Sequence, residues 1–166
     1  MINIILHEPE MPANTGNIGR TCVALGAKLH LIRPLGFFLD AKSIKRAGLD
    51  YWPKLSVAVY DDFDDFRRRH PDAKIYMVST KARQTYDTPR YEEDCYLMFG
   101  KESAGIPEEI LLQYADTAVR IPMLPDIRSL NLSNAVAIVA YEAARQRAFA
   151  GLELQGELHR HKWAEA

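Results

Sequence analysis

Apolar residues in this chain fall into short continuous runs that alternate with stretches where they recur every three or four positions. Six runs read as strands: Ile2–Leu6, Leu29–Ile32, Val57–Tyr60, Lys74–Ser79, Cys95–Phe99 and Ala118–Ile121. Between and after them the spacing predicts helices over Asn17–Leu25, Ala41–Ala47, Asp62–Arg69, Pro107–Tyr114 and Leu132–Phe149. Pro107 followed by Glu108 and Glu109 is a helix start, with acid at the positive end. The last helix carries a stripe of Leu132, Ala135, Val136, Val139, Ala140 and Ala143, wide enough to be buried. Strands that are apolar throughout, alternating with helices, predict an α/β fold: a mostly parallel sheet with helices on both faces. In such sheets ligands bind beyond the carboxyl ends of the strands.

The chain has 166 residues, enough for one domain with a real core, assigned to residues 1–150. The segment Gly151–Ala166 is a polar tail with Trp163 near its end, expected to fray or to pack at a dimer interface. At 48% hydrophobic and 26% charged, the composition is that of an ordinary soluble protein. No apolar run approaches the roughly 20 residues that span a bilayer, and no signal peptide is visible, so a cytoplasmic protein without membrane contact is expected. Cys22 and Cys95 fit no metal spacing and read as reduced packing residues. His159 and His161 read as a solvated end, and no metal is expected. The five histidines show no ligand pairing, and His7, at the end of the first strand, is a lesser candidate for contact with substrate.

A net charge of −1 argues against a generally basic nucleic-acid surface, but the distribution is uneven. Acid gathers in Asp61–Asp65 and Glu92–Asp94. Base gathers at Lys42, Lys45 and Arg46 and again at Lys81, Arg83 and Arg90. A local patch of that size holds a few phosphates.

Three polar segments follow strands. They are Asn14-Thr-Gly-Asn-Ile-Gly-Arg20, Tyr96-Leu-Met-Phe-Gly-Lys-Glu-Ser-Ala-Gly-Ile-Pro107 and Ile121-Pro-Met-Leu-Pro-Asp-Ile-Arg-Ser-Leu-Asn-Leu-Ser-Asn-Ala135. The third stacks hydroxyl and amide side chains at the start of the last helix, where backbone N–H groups are free. Ile121, Met123 and Leu130 suit an apolar slot, Gly100 and Gly105 permit close backbone approach, and Ser129 offers a hydrogen bond. Asn14 and Asn17 read as shaping a loop and capping a helix. The plain alternative is a heavily decorated helix cap with Ile121 and Met123 in the core.

Together and in this order, the three segments resemble the signature segments of the SPOUT-class RNA methyltransferases, most closely their ribose 2'-O-methylating branch. The likeness runs from about residue 2 to about residue 148. Through Glu8-Pro-Glu-Met-Pro-Ala-Asn14, Arg46-Ala-Gly-Leu-Asp-Tyr51 and Ile121-Pro-Met-Leu-Pro-Asp126, the chain looks closest to the minimal bacterial enzymes of that branch. Those enzymes methylate the wobble ribose, of cytidine or modified uridine, in certain leucine tRNAs. The resemblance implies a C-terminal trefoil knot made by the loops around Val78–Lys81, Gly100–Gly105 and Ile121–Ser129. It implies S-adenosylmethionine as cofactor, a homodimer, and the anticodon loop of a tRNA as partner.

Val78, Gly100, Ile121 and Ser129 match cofactor-contacting positions of the family, and Gly105, Met123 and Leu130 join them as expected cofactor-binding residues. Arg20 resembles the family's catalytic arginine. A free guanidinium stays protonated, so its expected role is to clamp a phosphate beside the reacting hydroxyl. Asn131 and Tyr141 are lesser catalytic candidates, Tyr141 being equally a packing residue. Lys42, Lys45, Arg46, Lys81, Arg83 and Arg128 are the expected RNA-binding residues. Glu102 either sits near the sulfonium or solvates its loop. Lys101 stands where near relatives often have Pro. A separate RNA-binding domain, common in the family, is not expected, so RNA capture would fall to the core and a second subunit.

Three other readings compete: the same chemistry at another tRNA position or on ribosomal RNA, a non-catalytic RNA-binding protein of this fold, and a flavodoxin-like nucleotide or phosphate binder. The last would normally show more glycine or a GK[ST] ending in its anion loop.

Overall fold

The computed structural model describes residues 1–39 and 51–163. Seven strands form one parallel sheet: β1 (Ile2–His7), β2 (Lys28–Ile32), β3 (Val57–Tyr60), β4 (Lys74–Val78), β5 (Gln84–Thr85), β6 (Cys95–Phe99) and β7 (Ala118–Arg120). Their order across the sheet is β3-β2-β1-β6-β4-β7-β5. Central β1 is flanked on both sides, with Ile4 level with Leu29 of β2 and Leu97 of β6. Among the described residues the α-helices are α1 (Pro12–Leu25), α2 (Phe63–Arg69), α3 (Glu108–Gln113) and α4 (Leu132–Arg145).

Alternation along β1 feeds two cores. Ile2, Ile4 and Leu6 pack with Ile18 and Cys22 of α1 and with Val136, Val139 and Ala140 of α4. Ile5 packs on the other face with Phe66 of α2, Met98 and Ile106, against which Ile110 and Leu111 of α3 lie partly buried. Burial on both faces is why the strands read as unbroken apolar runs rather than alternating ones. Each fully buried Ile or Leu contributes roughly 1.5–3 kcal/mol relative to exposure.

The expected strands all form, and three departures are informative. First, α1 starts at Pro12, not Asn17. Pro occupies the opening helical position, and Met11 at the cap provides no side-chain bond. Asn14, Gly16 and Asn17 therefore lie within the helix, and Asn17 is an exposed mid-helix residue rather than a cap. Second, the two-residue edge strand β5 is too short to leave a period in the sequence. Third, α4 stops at Arg145, because Ala148 and Phe149 adopt left-handed φ values of 51° and 53°. The expected helix over Ala41–Ala47 lies outside the described residues.

A polar chain crosses the second core. The ring of His30 sits 2.8 Å through Nδ1 from the Tyr60 hydroxyl and 3.2 Å through Nε2 from the side-chain oxygen of Asn3. Tyr60 continues to His70 at 2.8 Å. Burial, with Lys28 and His70 adding to it, pushes the His30 pKa down to about 3, so the buried ring is neutral.

No described helix is long and apolar enough to cross a membrane. Cys22 and Cys95 are buried free thiols, and burial pushes that of Cys22 up to about 12.

Candidate active site

A cavity of about 590 Å³ opens at the carboxyl ends of β4, β6 and β7. Its walls are the segments after those strands, the first turn of α4, and Met11 and Asn14 at the start of α1. All seven residues expected to bind cofactor line it: Val78, Gly100, Gly105, Ile121, Met123, Ser129 and Leu130. The volume lies within the range of roughly 300–1,000 Å³ usual for small-ligand pockets.

Sheet order brings the three loops together. β7 inserts between β4 and β5, and β4 is also the neighbour of β6. The loops leaving β4, β6 and β7 are therefore adjacent although 20 or more residues separate them in sequence. The loop after β6 folds back on itself, with Gly105 at φ 73° donating its N–H to the Lys101 carbonyl at 2.8 Å. A Cβ on Gly100 would stand 2.0 Å from the Gly105 carbonyl carbon. Gly100 is thus required by its own loop, whereas the Cβ position of Gly105 is open.

Side chains lock these loops to α1 and α4. Asn131 caps α4, its oxygen accepting from the Ser133 N–H at 2.9 Å and hydroxyl at 2.6 Å. Its amide nitrogen donates to the Asn14 side-chain oxygen at 3.0 Å, and Asn14 in turn donates to Glu102 at 2.9 Å. Glu102 also accepts from the N–H groups of Glu10 at 2.8 Å and Met11 at 3.3 Å, supplying the acceptor that the start of α1 lacks. Glu102 lines the cavity, and these bonds tie it to the start of α1. Lys101 pairs with Glu8 at 2.8 Å, and that carboxylate raises the lysine's pKa. An ion pair therefore anchors the loop at Lys101.

The other expected site residues divide. Lys81 and Arg128 line the cavity, Lys81 paired with Glu108 at 2.7 Å and Arg128 donating to the Ser103 carbonyl at 3.0 Å. Arg83 is exposed beside edge strand β5 and does not line it. Lys42, Lys45 and Arg46 lie outside the described residues. Arg20 is exposed on α1, its guanidinium stacked 4.8 Å from the centre of the Tyr51 ring. The Tyr51 hydroxyl donates to the Gly16 carbonyl, fixing that ring against the helix. Tyr141 is half-exposed on α4 and does not line the cavity, and neither does Arg20.

His7 does not face this site. It is buried on the opposite side of the sheet, edge-on to Phe63, where burial lowers its pKa. Among the described residues no group of three or more His, Cys, Asp or Glu could hold a metal ion.

Met11, Asn14, Lys101 and Ser103 are lining residues that sequence reasoning did not assign to the cavity, and the Tyr51 ring under Arg20, outside the lining, was not assigned either. Met11, Asn14 and Tyr51 all fall within the segments that carried the resemblance, and that is the only signal that could have marked them.

A mixed polar and apolar cavity between Gly- and Ser-rich loops at the carboxyl edge of a parallel sheet is the site of an α/β enzyme that binds a nucleotide-bearing cofactor. The chain belongs to the SpoU rRNA Methylase family, whose model matches residues 1–141. It is 48% identical over 152 residues to the tRNA (cytidine(34)-2'-O)-methyltransferase of Saccharophagus degradans, covering 91% of this chain and 99% of that one. A solved structure concerned with the 2-OH methylation of C/U34 on tRNA superposes with a TM-score of 0.84 at 44% identity, covering 90% of this chain and 97% of the other. The AdoMet-bound rRNA methyltransferase of Sinorhizobium meliloti superposes at 0.76 with 28% identity, over 87% of this chain and 56% of the larger protein. This protein is a methyltransferase, and S-adenosylmethionine is its methyl donor.

Proposed function

We propose that the protein methylates the ribose 2'-hydroxyl of the wobble nucleotide, position 34, in tRNA, and that its substrates are leucine tRNAs carrying cytidine or a modified uridine there. The observation that carries this reading is near full-length similarity, 44–48% identical, to proteins named for cytidine-34 2'-O-methylation of tRNA. The convergence of seven expected cofactor residues on one cavity supports the methyl-donor half of it.

Bound S-adenosylmethionine supplies an electrophilic methyl group on a sulfonium. The residues of this chain supply position. Val78, Ile121, Met123 and Leu130 offer apolar contact, and Ser129 with the main chain of residues 100–105 offers polar contact. The methyl carbon would pass to the 2'-oxygen, the electron pair of the methyl–sulfur bond would stay with the departing S-adenosylhomocysteine, and the hydroxyl proton would leave by way of the adjacent phosphate to water. Holding oxygen and methyl in line contributes much of the rate. Arg20 clamps the neighbouring phosphate, and its fixed positive charge favours the ionising hydroxyl. Asn131 positions the α4 turn, and Lys81, Arg83 and Arg128, with Lys42, Lys45 and Arg46, take the remaining phosphates. An anticodon loop suits a protein of net charge −1, because splayed bases and an exposed 2'-hydroxyl are read with few phosphates neutralised.

The reading includes passage of the segment after β7 through the loops on either side of it as a trefoil knot, and work in the cytoplasm. It also includes a homodimer in which each site receives groups from both subunits. The outer face of α4, with Asn134, Ile138, Tyr141 and Arg145, is the surface offered for pairing. Mass spectrometry of nucleosides from tRNA, with the gene intact and deleted, tests the function. Loss of 2'-O-methylcytidine or a 2'-O-methylated uridine on deletion is expected. An unchanged nucleoside profile overturns the reading.

A further inference from the structure

Two glutamates on facing loops exchange backbone partners beside the cavity. Glu102, after β6, accepts from the N–H groups of Glu10 and Met11 at 2.8 and 3.3 Å. Glu10, between β1 and α1, accepts from the N–H and hydroxyl of Ser103, both at 2.8 Å. These bonds to Ser103 hold the Glu10 carboxyl below the usual carboxylate range. Each loop thus satisfies free donors of the other, and neither can move without breaking bonds in both.

The surroundings reinforce the pairing. Gly36 donates its N–H to the Pro9 carbonyl at 2.9 Å, and a Cβ there would stand 2.5 Å from the Glu10 carbonyl oxygen, so a third loop backs Glu10 closely. Arg128 takes the Ser103 carbonyl at 3.0 Å. Met11, Asn14, Glu102 and Ser103 all line the cavity, whereas Glu10 does not. Glu10 therefore acts through Ser103.

We propose that Glu10 is a positioning residue whose reciprocal bonding with the Glu102–Ser103 loop transmits occupancy of the cofactor cavity to α1, the helix that carries Arg20. Charge-assisted hydrogen bonds are stronger than neutral ones. At an exposed carboxylate water competes for them, so the ordering of the loops opposes closure. A ligand that orders Gly100–Gly105 has already met part of that cost, and the clasp then closes on the start of α1. By linkage, whatever orders α1, including RNA at Arg20, tightens cofactor binding in return.

The inference rests on the cavity being the cofactor site, and hydrogen exchange of the full-length protein separates the two claims. S-adenosylhomocysteine, the unreactive product, serves as probe. In the wild type it should slow exchange at residues 100–105 and also at residues 10–16, the latter about tenfold, within the usual range of coupling between sites. In Glu10→Ala at saturating probe, protection of 100–105 should persist while that of 10–16 falls to less than about twofold. Glu10→Gln, which keeps one acceptor oxygen, should lie between, and with Ser103→Ala it carries the test if the alanine variant does not fold. Equal protection of 10–16 in wild type and variants overturns the clasp and leaves the cavity assignment standing. No protection of 100–105 in the wild type overturns both.

Discussion

The side-chain nitrogen of Asn131 donates to the side-chain oxygen of Asn14 at 3.0 Å, joining the first turns of two helices 117 residues apart. Asn14 passes the connection to Glu102 at 2.9 Å, so α1, α4 and the loop after β6 meet at one buried amide. The three polar segments that stand out in the sequence are bonded to one another at this point.

Asn14→Ala should therefore damage stability and the cofactor site together. It leaves the Asn131 nitrogen and one Glu102 oxygen without that partner in a half-buried setting, a loss of about 1–3 kcal/mol. Urea denaturation should show the destabilisation, and calorimetry with S-adenosylhomocysteine should show weaker binding. Asn14→Asp should be worse, because it sets a carboxylate against Glu102. Wild-type cofactor affinity in Asn14→Ala would show that the junction does not shape the cavity.

Arg20→Ala should abolish methyl transfer while leaving cofactor affinity nearly intact, since Arg20 lies outside the cavity lining. A loss of about 10²–10³ in kcat is the scale for removing one preorganised donor from a developing charge. Arg20→Lys should recover little, because a point charge neither stacks on Tyr51 nor binds phosphate through two nitrogens. An equal loss of cofactor binding in Arg20→Ala would mark the residue as structural.

How much of this site the sequence showed depended on distance along the chain. Strands and loops were legible because apolar runs and Gly or Pro punctuation are local signals, and the end of β4 together with those loops holds all seven cofactor candidates. The start of α1 at Pro12 is not legible from its neighbours in sequence. Asn, Thr and Gly in residues 14–17 favour turns locally, and what permits helix there is Glu102 accepting from Glu10 and Met11 across 92 and 91 positions. The same separation hid the role of Glu10, an unremarkable acid until Ser103 is placed beside it. Tyr51 lies in a segment that carries the resemblance, but only the fold sets its ring against α1 under Arg20.

Acid should destabilise the protein through His30. Its folded pKa of about 3 lies below the ordinary imidazole value of about 6.5, so between these values the unfolded chain binds a proton that the folded chain does not. The stability present above about pH 6.5 is lost progressively as pH falls toward about 3. Lys28 and His70 deepen the shift, with Asn3, Tyr60 and Tyr96 as the uncharged groups around the ring. Denaturation midpoints between pH 7 and pH 4.5 should fall, and His30→Gln should flatten that slope while lowering stability at pH 7. An unaltered slope in the variant would assign the acid sensitivity elsewhere.

Sedimentation equilibrium at micromolar concentration should give twice the 18.9 kDa chain mass. A charged pair on the outer face of α4, Ile138→Glu with Tyr141→Glu, should give the monomer and remove activity. A fully active monomer would contradict the shared site.

The most direct test of the central claim is to map the methyl group delivered by the purified protein to a leucine tRNA and to its isolated anticodon stem-loop, using labelled S-adenosylmethionine and nuclease fragments read by mass spectrometry. One methyl group on the 2'-oxygen of nucleotide 34 is the expected result. Methylation at another nucleotide, or on a base, would contradict it.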